Sequence, residues 1–491
     1  MIALLIPVVL LLLYWYFARI FRYWKTRNVP YIEPVFPFGN FKNVALMRES
    51  IGVFVANMYK SSKEDFIGIW VLTTPSLIFR SPELLKHILV KDFNYFYDRP
   101  VLAEEDVDFI GANMLFFQKN PEWKAVRSKI GAVFSLSKLR GMVTIVDKIG
   151  EDMMKYLKKS GNDFEMNSRE LCAKLTTDVI VSCGFGINAN CFEDEKSPFR
   201  EAGKKLFDLT LFNCLRVICY FLVPSIARLF KISFFDPKGV NFLRRVFWQA
   251  IDEREESKIS RHDLIDILIN LRQSESIPNF VGDKLAAQSI QFYAAGFETT
   301  STGFSFSLYQ IALHPDIQEK LRDEIHQFYN EHHEFTYDNI KSLTYLDKVF
   351  SETLRMHPGL PFLNRMTMND YTIPETKHVI EKGTPIYISV LGLHFDPEYY
   401  PDPEIFDPER FSEENIKSRP EYAYLPFGNG PRNCIGARFA VMVTKICVAK
   451  ILLQYKIEAC EATPKKIEYD PNSFLAAPKG ALTLRFIKIN N

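Results

Sequence analysis

The chain has 491 residues, of which 47% are apolar, with eight cysteines and a formal net charge of +1. That length allows two or three ordinary domains, and the near-neutral balance excludes nucleic acid as a bulk electrostatic partner. The cysteines include no C-x-x-C pair, which excludes a zinc ribbon and a dense disulfide framework and suits a reducing compartment. There is also no N-x-S/T sequon, which fits a main domain that does not face a glycosylating lumen.

In chain order, residues 2–18 are almost wholly apolar and are followed by Arg19, Arg22, Lys25 and Arg27. With Ile20 and Phe21 the run reaches the short end of a membrane span. The charge lies after the apolar run and no small-residue cleavage site follows, which favours an anchor over a cleaved signal peptide. The positive-inside rule then puts the N-terminus in the lumen and the bulk of the chain in the cytosol. Tyr14, Trp15, Tyr16 and Trp24 fit an interfacial aromatic belt, and Pro30, Pro34, Pro37 and Gly39 read as a stiff linker. The expected division is an anchor helix at 1–21, a basic, proline-rich hinge at 22–40 and one main domain at 41–491.

Residues 67–72 and 77–80 are β-rich runs around Thr73-Thr74-Pro75-Ser76 and predict a hairpin. Ser81-Pro82-Glu83 opens a short helix with a capping serine, a first-turn proline and an early acid. Residues 99–120 show no period and read as a long, functional loop. Asn120-Pro121-Glu122 starts a helix that sets Trp123 and Arg127 one turn apart; a tryptophan packed on an arginine stem explains that pair by itself. Helical patterns continue to about residue 330. Residues 206–235 are densely apolar, rich in phenylalanine and broken by Pro224, so they read either as core or as a pocket lid that also touches a membrane surface. The charged run 252–261 reads as a solvated face or exposed loop.

Residues 283–313 predict one long helix with Ile290, Ala294, Phe297, Ser301 and Phe304 on one stripe. Inside it, Ala295-Gly296-Phe297-Glu298-Thr299-Thr300 places an acid beside two hydroxyls, which close helix packing alone does not explain. Glu352 and Arg355 face each other on a later helix, an arrangement uninformative on its own. Residues 385–390 and 482–487 predict strands, and 473–478 a turn.

The stretch Phe427-Gly428-Asn429-Gly430-Pro431-Arg432-Asn433-Cys434-Ile435-Gly436 precedes a helical repeat of Phe439, Met442, Ile446 and Leu453, so the loop delivers Cys434 to a helix start. Free N–H groups and the helix dipole there favour a thiolate. Gly430 and Gly436 would let a flat ligand approach the backbone, and Arg432 would pair with an anion on it. A buried structural cysteine is the competing reading.

Phe427, Gly430, Arg432, Cys434 and Gly436 fill the F-x-x-G-x-R-x-C-x-G signature, and the chain resembles the haem-thiolate monooxygenases of the cytochrome P-450 superfamily, its insect microsomal members most of all. The resemblance implies a mainly α fold with smaller β-sheets (α+β), haem b lying between a long central helix and the cysteine-loop helix. It implies Cys434 as the axial iron ligand, with Trp123, Arg127, Arg365 and Arg432 on the propionates and His394 as a lesser candidate. Gly296 would open the long helix for dioxygen and water. Thr299 would hydrogen-bond oxygen and Glu298 would help deliver protons. Glu352, Arg355 and Arg410 (of Pro408-Glu409-Arg410-Phe411) would form a buried structural set holding the cysteine loop. Phe109, Phe116, Phe212, Phe297, Leu360 and Phe362 would line the substrate pocket, with the 473–478 turn reaching into it. Electrons would come from NADPH through a separate flavoprotein reductase, with cytochrome b5 as an optional second donor, and Lys124, Lys129 and Lys445 are candidates for its docking face. The implied setting is the endoplasmic reticulum membrane, and the implied substrates are small and lipophilic, plant toxins or insecticides first. Hormone, pheromone or fatty-acid oxidation, a haem-thiolate isomerase or dehydratase, and a non-catalytic haem binder remain alternatives.

Overall fold

The computed structural model describes residues 2–489 apart from 262 and 274–276. Its axis is the helix Asp283–Leu313, which starts at Gly282 and stops before Pro315. Small residues along it (Ala286, Ala287, Ser289, Ala294, Gly303, Ser305) allow other helices to lie close, and the stripe Ile290, Ala294, Phe297, Ser301, Phe304 is buried as its spacing predicts. The helix is continuous through Gly296. This corrects the expectation of an opened backbone there: a Cβ at Gly296 would overlap Cδ1 of Ile180, so the glycine admits the neighbouring helix Ser168–Phe185. The cysteine-side helix Ala437–Leu452 is buried on nearly all sides, between the long helix and Leu136–Ser160. The result is mainly α.

Nine strands among the described residues make three small sheets: β1 (Phe66–Val71), β2 (Thr74–Phe79), β3 (Asp163–Asn167), β4 (Phe362–Met366), β5 (Tyr371–Thr372), β6 (Val379–Ile380), β7 (Pro385–Ser389), β8 (Tyr455–Ala459) and β9 (Thr483–Lys488). The first sheet runs β1-β2-β7-β4, parallel only between β2 and β7; the second runs β3-β9-β8; β5 and β6 pair alone. The first hairpin turns at Leu72 and Thr73, earlier than expected, and Pro75 sits in β2 opposite Trp70, outside the segment that bonds β7. The unpatterned loop contains one short helix, Phe109–Asn113, capped by Asp108.

Ile2–Ile20 form a helix, and among the described residues no single helix is long and apolar enough to cross a membrane. The segment 22–40 is packed on the first sheet and is no free hinge. Trp24 is buried and donates to the Ile69 carbonyl at 3.0 Å, Tyr31 bridges Gly68, and Gly39 bridges Val71. Trp24 is therefore core, which corrects its assignment to an aromatic belt. In the charged run, Arg254 lies on the inner face of the helix Pro237–Ser257 and is buried against Asp263 and Asp266, so that run is not simply a solvated face. Residues 206–235 contain two helices, Leu211–Leu222 and Pro224–Phe230, which meet at 117° because Pro224 begins the second.

Candidate functional site

The cysteine loop is closed by the Cys434 N–H, which donates to the Phe427 carbonyl at 2.8 Å, and Gly436 caps the helix Ala437–Leu452. Gly430 has φ +73° and lies against the turn His87–Lys91, where a Cβ would overlap the Leu89 carbonyl. Gly430 thus seats the loop on the protein and does not line the cavity, which corrects its assignment to cofactor contact; Gly436 does line it. The exposed surface of Cys434 faces the cavity, not bulk water. Burial pushes its thiol up, while the Gly436 N–H and the Arg127 guanidinium pull it down. Arg127 donates to the side chain of Asn433 at 2.7 Å, so the helix Glu122–Ile130 and the cysteine loop are joined beside the sulfur.

Behind that loop lies a fully buried ion pair. Arg355 Nε and Nη2 donate to the two Glu352 oxygens at 2.7 and 2.8 Å, and Nη1 donates to the His394 carbonyl at 2.8 Å. Burial pushes the Glu352 carboxyl up against the pull of Arg355 and of the Asp407 N–H, which donates to it at 2.9 Å. Arg410 pairs with Glu352 at 3.6 Å and donates to the Asp402 carbonyl, so the arginine and the Asp407 backbone both link the 408–411 segment to the ion pair. His394 is not a propionate contact. Its Nε2 accepts from the Leu425 N–H at 2.9 Å, which makes Nδ1 the donor to the Arg355 carbonyl at 3.0 Å. It ties the ion-pair helix to the residues leading into the cysteine loop, and burial with Arg355 nearby lowers its pKa to about 3.

On the flank of the cavity three buried arginines, Arg99, Arg365 and Arg432, lie close enough to repel one another, and the Asp98 carboxylate faces Arg432 and Lys119. Arg432 donates to the carbonyls of Tyr97 and Gln118, both at 2.9 Å, lies 3.3 Å from Asp98, and stacks over Trp123 at 3.9 Å. Arg99 lies over the Phe116 ring at 4.0 Å and donates to Asn364 at 3.1 Å. Among the described residues Arg365, in β4, donates only to the carbonyl of Asn364. Nε of both Arg99 and Arg365 is buried without a partner among the described residues. Burial and mutual repulsion hold Arg99 well below the usual guanidinium range, burial lowers Arg365 to about 10, and burial lowers Arg432 to about 9. Such an excess of buried positive charge calls for anions. The two carboxylates of a haem that took Cys434 as its ligand would fit that demand. Arg99, Asp98 and Lys119 had no recognisable spacing in the sequence. Arg99, Arg127 and Arg432 line the cavity, whereas Arg365 does not; Arg432 is already occupied by protein carbonyls, so among the described residues the unspent guanidinium donors on the cavity wall are those of Arg99 and Arg127.

The cavity above Cys434 measures about 410 Å³. The long helix supplies Ala295, Glu298 and Thr299 to its wall. The Thr299 hydroxyl donates to the Ala295 carbonyl at 2.6 Å, so its oxygen is left as an acceptor towards the cavity. Burial pushes the Glu298 carboxyl up, against Arg169 at 3.9 Å and the more distant Arg200. Of the six expected pocket residues, Phe116 and Leu360 line the cavity and four do not. Phe297 lies two residues from both Ala295 and Thr299, on the other side of the helix, packed on Tyr293 and Phe207. Phe362 alternates with Leu363, which does line the cavity, and faces Tyr387. Phe212 points outward while its neighbour Asn213 lines the cavity, and Phe109 sits half-exposed at the start of its short helix. Phe117, Phe207, Phe234, Phe235 and Phe474 take their places. The 473–478 turn reaches the cavity through Ser473, Phe474, Leu475 and Ala477.

A family model described as Cytochrome P450 matches residues 29–485. The chain belongs to the cytochrome P450 family. It is 38% identical to Cytochrome P450 6k1 of Blattella germanica over 97% of this chain and 94% of the relative, and 36% identical to Cytochrome P450 6j1 of the same species over 98% and 96%. It is 35% identical to a Probable cytochrome P450 6g2 of Drosophila melanogaster over 95% of each chain. As a family member it is a haem-thiolate monooxygenase that takes its electrons from NADPH through a reductase. Of the expected docking lysines, Lys124 and Lys129 are exposed, whereas Lys445 is buried in an ion pair with Asp347 at 2.8 Å and offers nothing to a partner.

Proposed function

We propose that this cytochrome P450 oxygenates small lipophilic molecules drawn from the endoplasmic reticulum membrane, foreign compounds such as plant toxins or insecticides first among them, with its main domain in the cytosol. The observation that carries this is the helix Leu211–Leu222. Asn213, Cys214 and Val217 line the cavity, while Leu211, Phe212 and Leu215 are exposed on its outer side. Ile226, Leu229 and Phe230 extend that apolar outer surface beyond the bend. One thin wall thus separates an apolar surface suited to lipid from an apolar chamber. The basic residues that follow the first helix support an anchored, cytosol-facing arrangement.

When bound, thiolate-ligated haem supplies electron acceptance and the activation of dioxygen. Arg99, with Arg127 beside the sulfur, would hold its carboxylates, and the Gly436 N–H and Arg127 temper the sulfur. Thr299 offers a hydroxyl oxygen that accepts from a proton donor in the cavity, and Glu298, titrating above an ordinary glutamate, is placed to hand a proton inward from Arg169's side. Phe116, Phe117, Phe234 and Phe474 exclude water around the substrate.

The test is purified holoprotein with reductase, NADPH and a panel of lipophilic compounds, beside Cys434→Ser. Wild type is expected to give the strongly red-shifted ferrous–CO band of a thiolate-ligated haem and NADPH-dependent product, and the variant neither. No turnover across the panel would overturn the substrate reading, and a thiolate band that survived in Cys434→Ser would overturn the assignment of the ligand.

A further inference from the structure

The 99–120 loop and the 206–235 wall meet along one seam beside the chamber, and among the described residues three polar ties cross it. The Leu102 N–H donates to the Tyr220 carbonyl at 3.2 Å. The Asp108 carboxylate accepts from the Phe234 N–H at 2.8 Å while capping its own short helix at the Gly111 N–H, 2.9 Å away. Glu104 makes the third tie. Arg228 Nε donates to its two oxygens at 2.9 and 2.8 Å, and Nη2 donates to one of them at 2.6 Å. At the same seam the Phe117 ring meets Tyr220 at 5.4 Å and Phe234 at 4.7 Å, and Phe117 and Phe234 both line the chamber.

The three ties are unequal. Leu102 and Tyr220 are buried, and Asp108 is held by two backbone donors. Glu104 and Arg228 keep 36% and 52% of their side chains exposed, so water and salt compete for that pair alone. The closed seam also carries a cost. The Tyr220 hydroxyl is buried without a partner among the described residues, at a point where a Cβ on Gly111 would lie 2.8 Å from it. Water that entered the parted seam would satisfy that hydroxyl, which favours opening. Elsewhere the chamber is walled by the buried helices Asp283–Leu313 and Ala437–Leu452, whose backbone bonds close within themselves. Separation is cheapest where side chains and a few exposed bonds do the holding. We infer that this seam is the ligand entrance of the chamber and that Glu104 and Arg228 are its clasp. The open state has all three ties parted. The clasp stabilises the closed state equally with or without a ligand inside, so it slows entry and exit together and leaves affinity alone. The inference rests on the reading of the cavity as a haem chamber, not on the identity of the substrate.

The probe is clotrimazole, a bulky azole that ligates haem iron and so reports arrival in the chamber. Its association and dissociation with the full-length holoprotein are followed by stopped-flow absorbance, and its Kd by titration. Glu104→Gln and Arg228→Met are each expected to quicken both rates about threefold, the scale of one exposed ion pair, with Kd unchanged. The double variant is expected to be no faster than either single one, because both remove the same interaction. Raising salt to about 0.5 M should quicken wild type towards the variants and leave the variants where they are. Variant rates equal to those of wild type overturn the clasp and leave the haem chamber standing, since entry then passes elsewhere, such as the wall's other edge where Asn472 holds the Leu209 carbonyl. A variant that shifts Kd through dissociation alone acts on the bound ligand, and that result overturns the clasp as well. Wild type that gives no azole band overturns the chamber reading and the clasp together.

Discussion

The two sides of the haem chamber are built on opposite principles. The cysteine side is held by polar bonds that water does not reach, Arg355 on Glu352 and His394 between Arg355 and Leu425, with Lys445 buried against a half-exposed Asp347. The far wall, 206–235, is held largely by phenylalanine contacts and leaves apolar side chains on its outer face. Rings of Phe117 and Phe234 meet at 4.7 Å, and Phe221 stacks on Phe474 at 4.8 Å. Directional bonds fix a position, and apolar contacts tolerate rearrangement. A metal ligand needs the first property, and on the proposed lipophilic-substrate reading the chamber needs the second.

The contrast breaks most sharply at the ion pair. Arg355→Leu leaves Glu352 charged and buried, and is expected to cost about 3–5 kcal/mol, seen as holoprotein that fails to accumulate or unfolds far earlier in denaturant. Acid attacks the same side next. His357 and His394 are both held neutral, with burial lowering each to about 3, whereas unfolded histidine titrates near 6.5. Their folded pKa values are depressed, so the unfolded state binds more protons below pH 6.5. Stability is full above that pH and falls from there towards pH 3, by roughly 2 kcal/mol per histidine at pH 5. Denaturant midpoints across pH 5–8 check this, and His394→Phe should flatten part of the slope. If the slope is unchanged, His394 is not the group responsible.

Between the two sides, the arginine cluster gives an unusual sign. Arg99→Met removes a buried charge that Arg365 and Arg432 repel, so the apoprotein is expected to be no less stable, while haem escapes about tenfold faster, a loss of roughly 1.4 kcal/mol. Transfer of haem to an apoglobin acceptor measures the escape. The smallest effect belongs to the far wall. Leu229 and Phe230 are 75% and 69% exposed, so Leu229→Ser with Phe230→Ser should change stability by less than about 0.5 kcal/mol per site. Sedimentation with phospholipid vesicles should nevertheless fall. Unchanged sedimentation would remove the lipid-facing role from this wall.

Legibility in the sequence followed the same divide between local and distant causes. The long helix could be read with its bounds because its apolar stripe is a local pattern carried by the helix itself. Cys434, Glu352 and Arg355 carry spacings that survive in one dimension. Arg99 does not: its partners Asn364 and Arg365 come from β4, and nothing near residue 99 announces them. Lys445 looked like a surface charge because Asp347, its partner, is on another helix. The pocket phenylalanines failed by small rotations. Phe212, Phe297 and Phe362 each adjoin or lie within two positions of a residue that does line the cavity, and a composition argument does not resolve the face.

The outer and inner sides of Leu211–Leu222 carry one more consequence, which concerns how this enzyme is measured. On the membrane reading, the entrance wall is shared with lipid, so the enzyme responds to the mole fraction of substrate dissolved in that lipid. Adding empty vesicles at constant total substrate dilutes this mole fraction without altering the protein. An apparent KM quoted per litre of water would then rise with the vesicle content of the assay, whereas the same data referred to the lipid phase would collapse onto one curve.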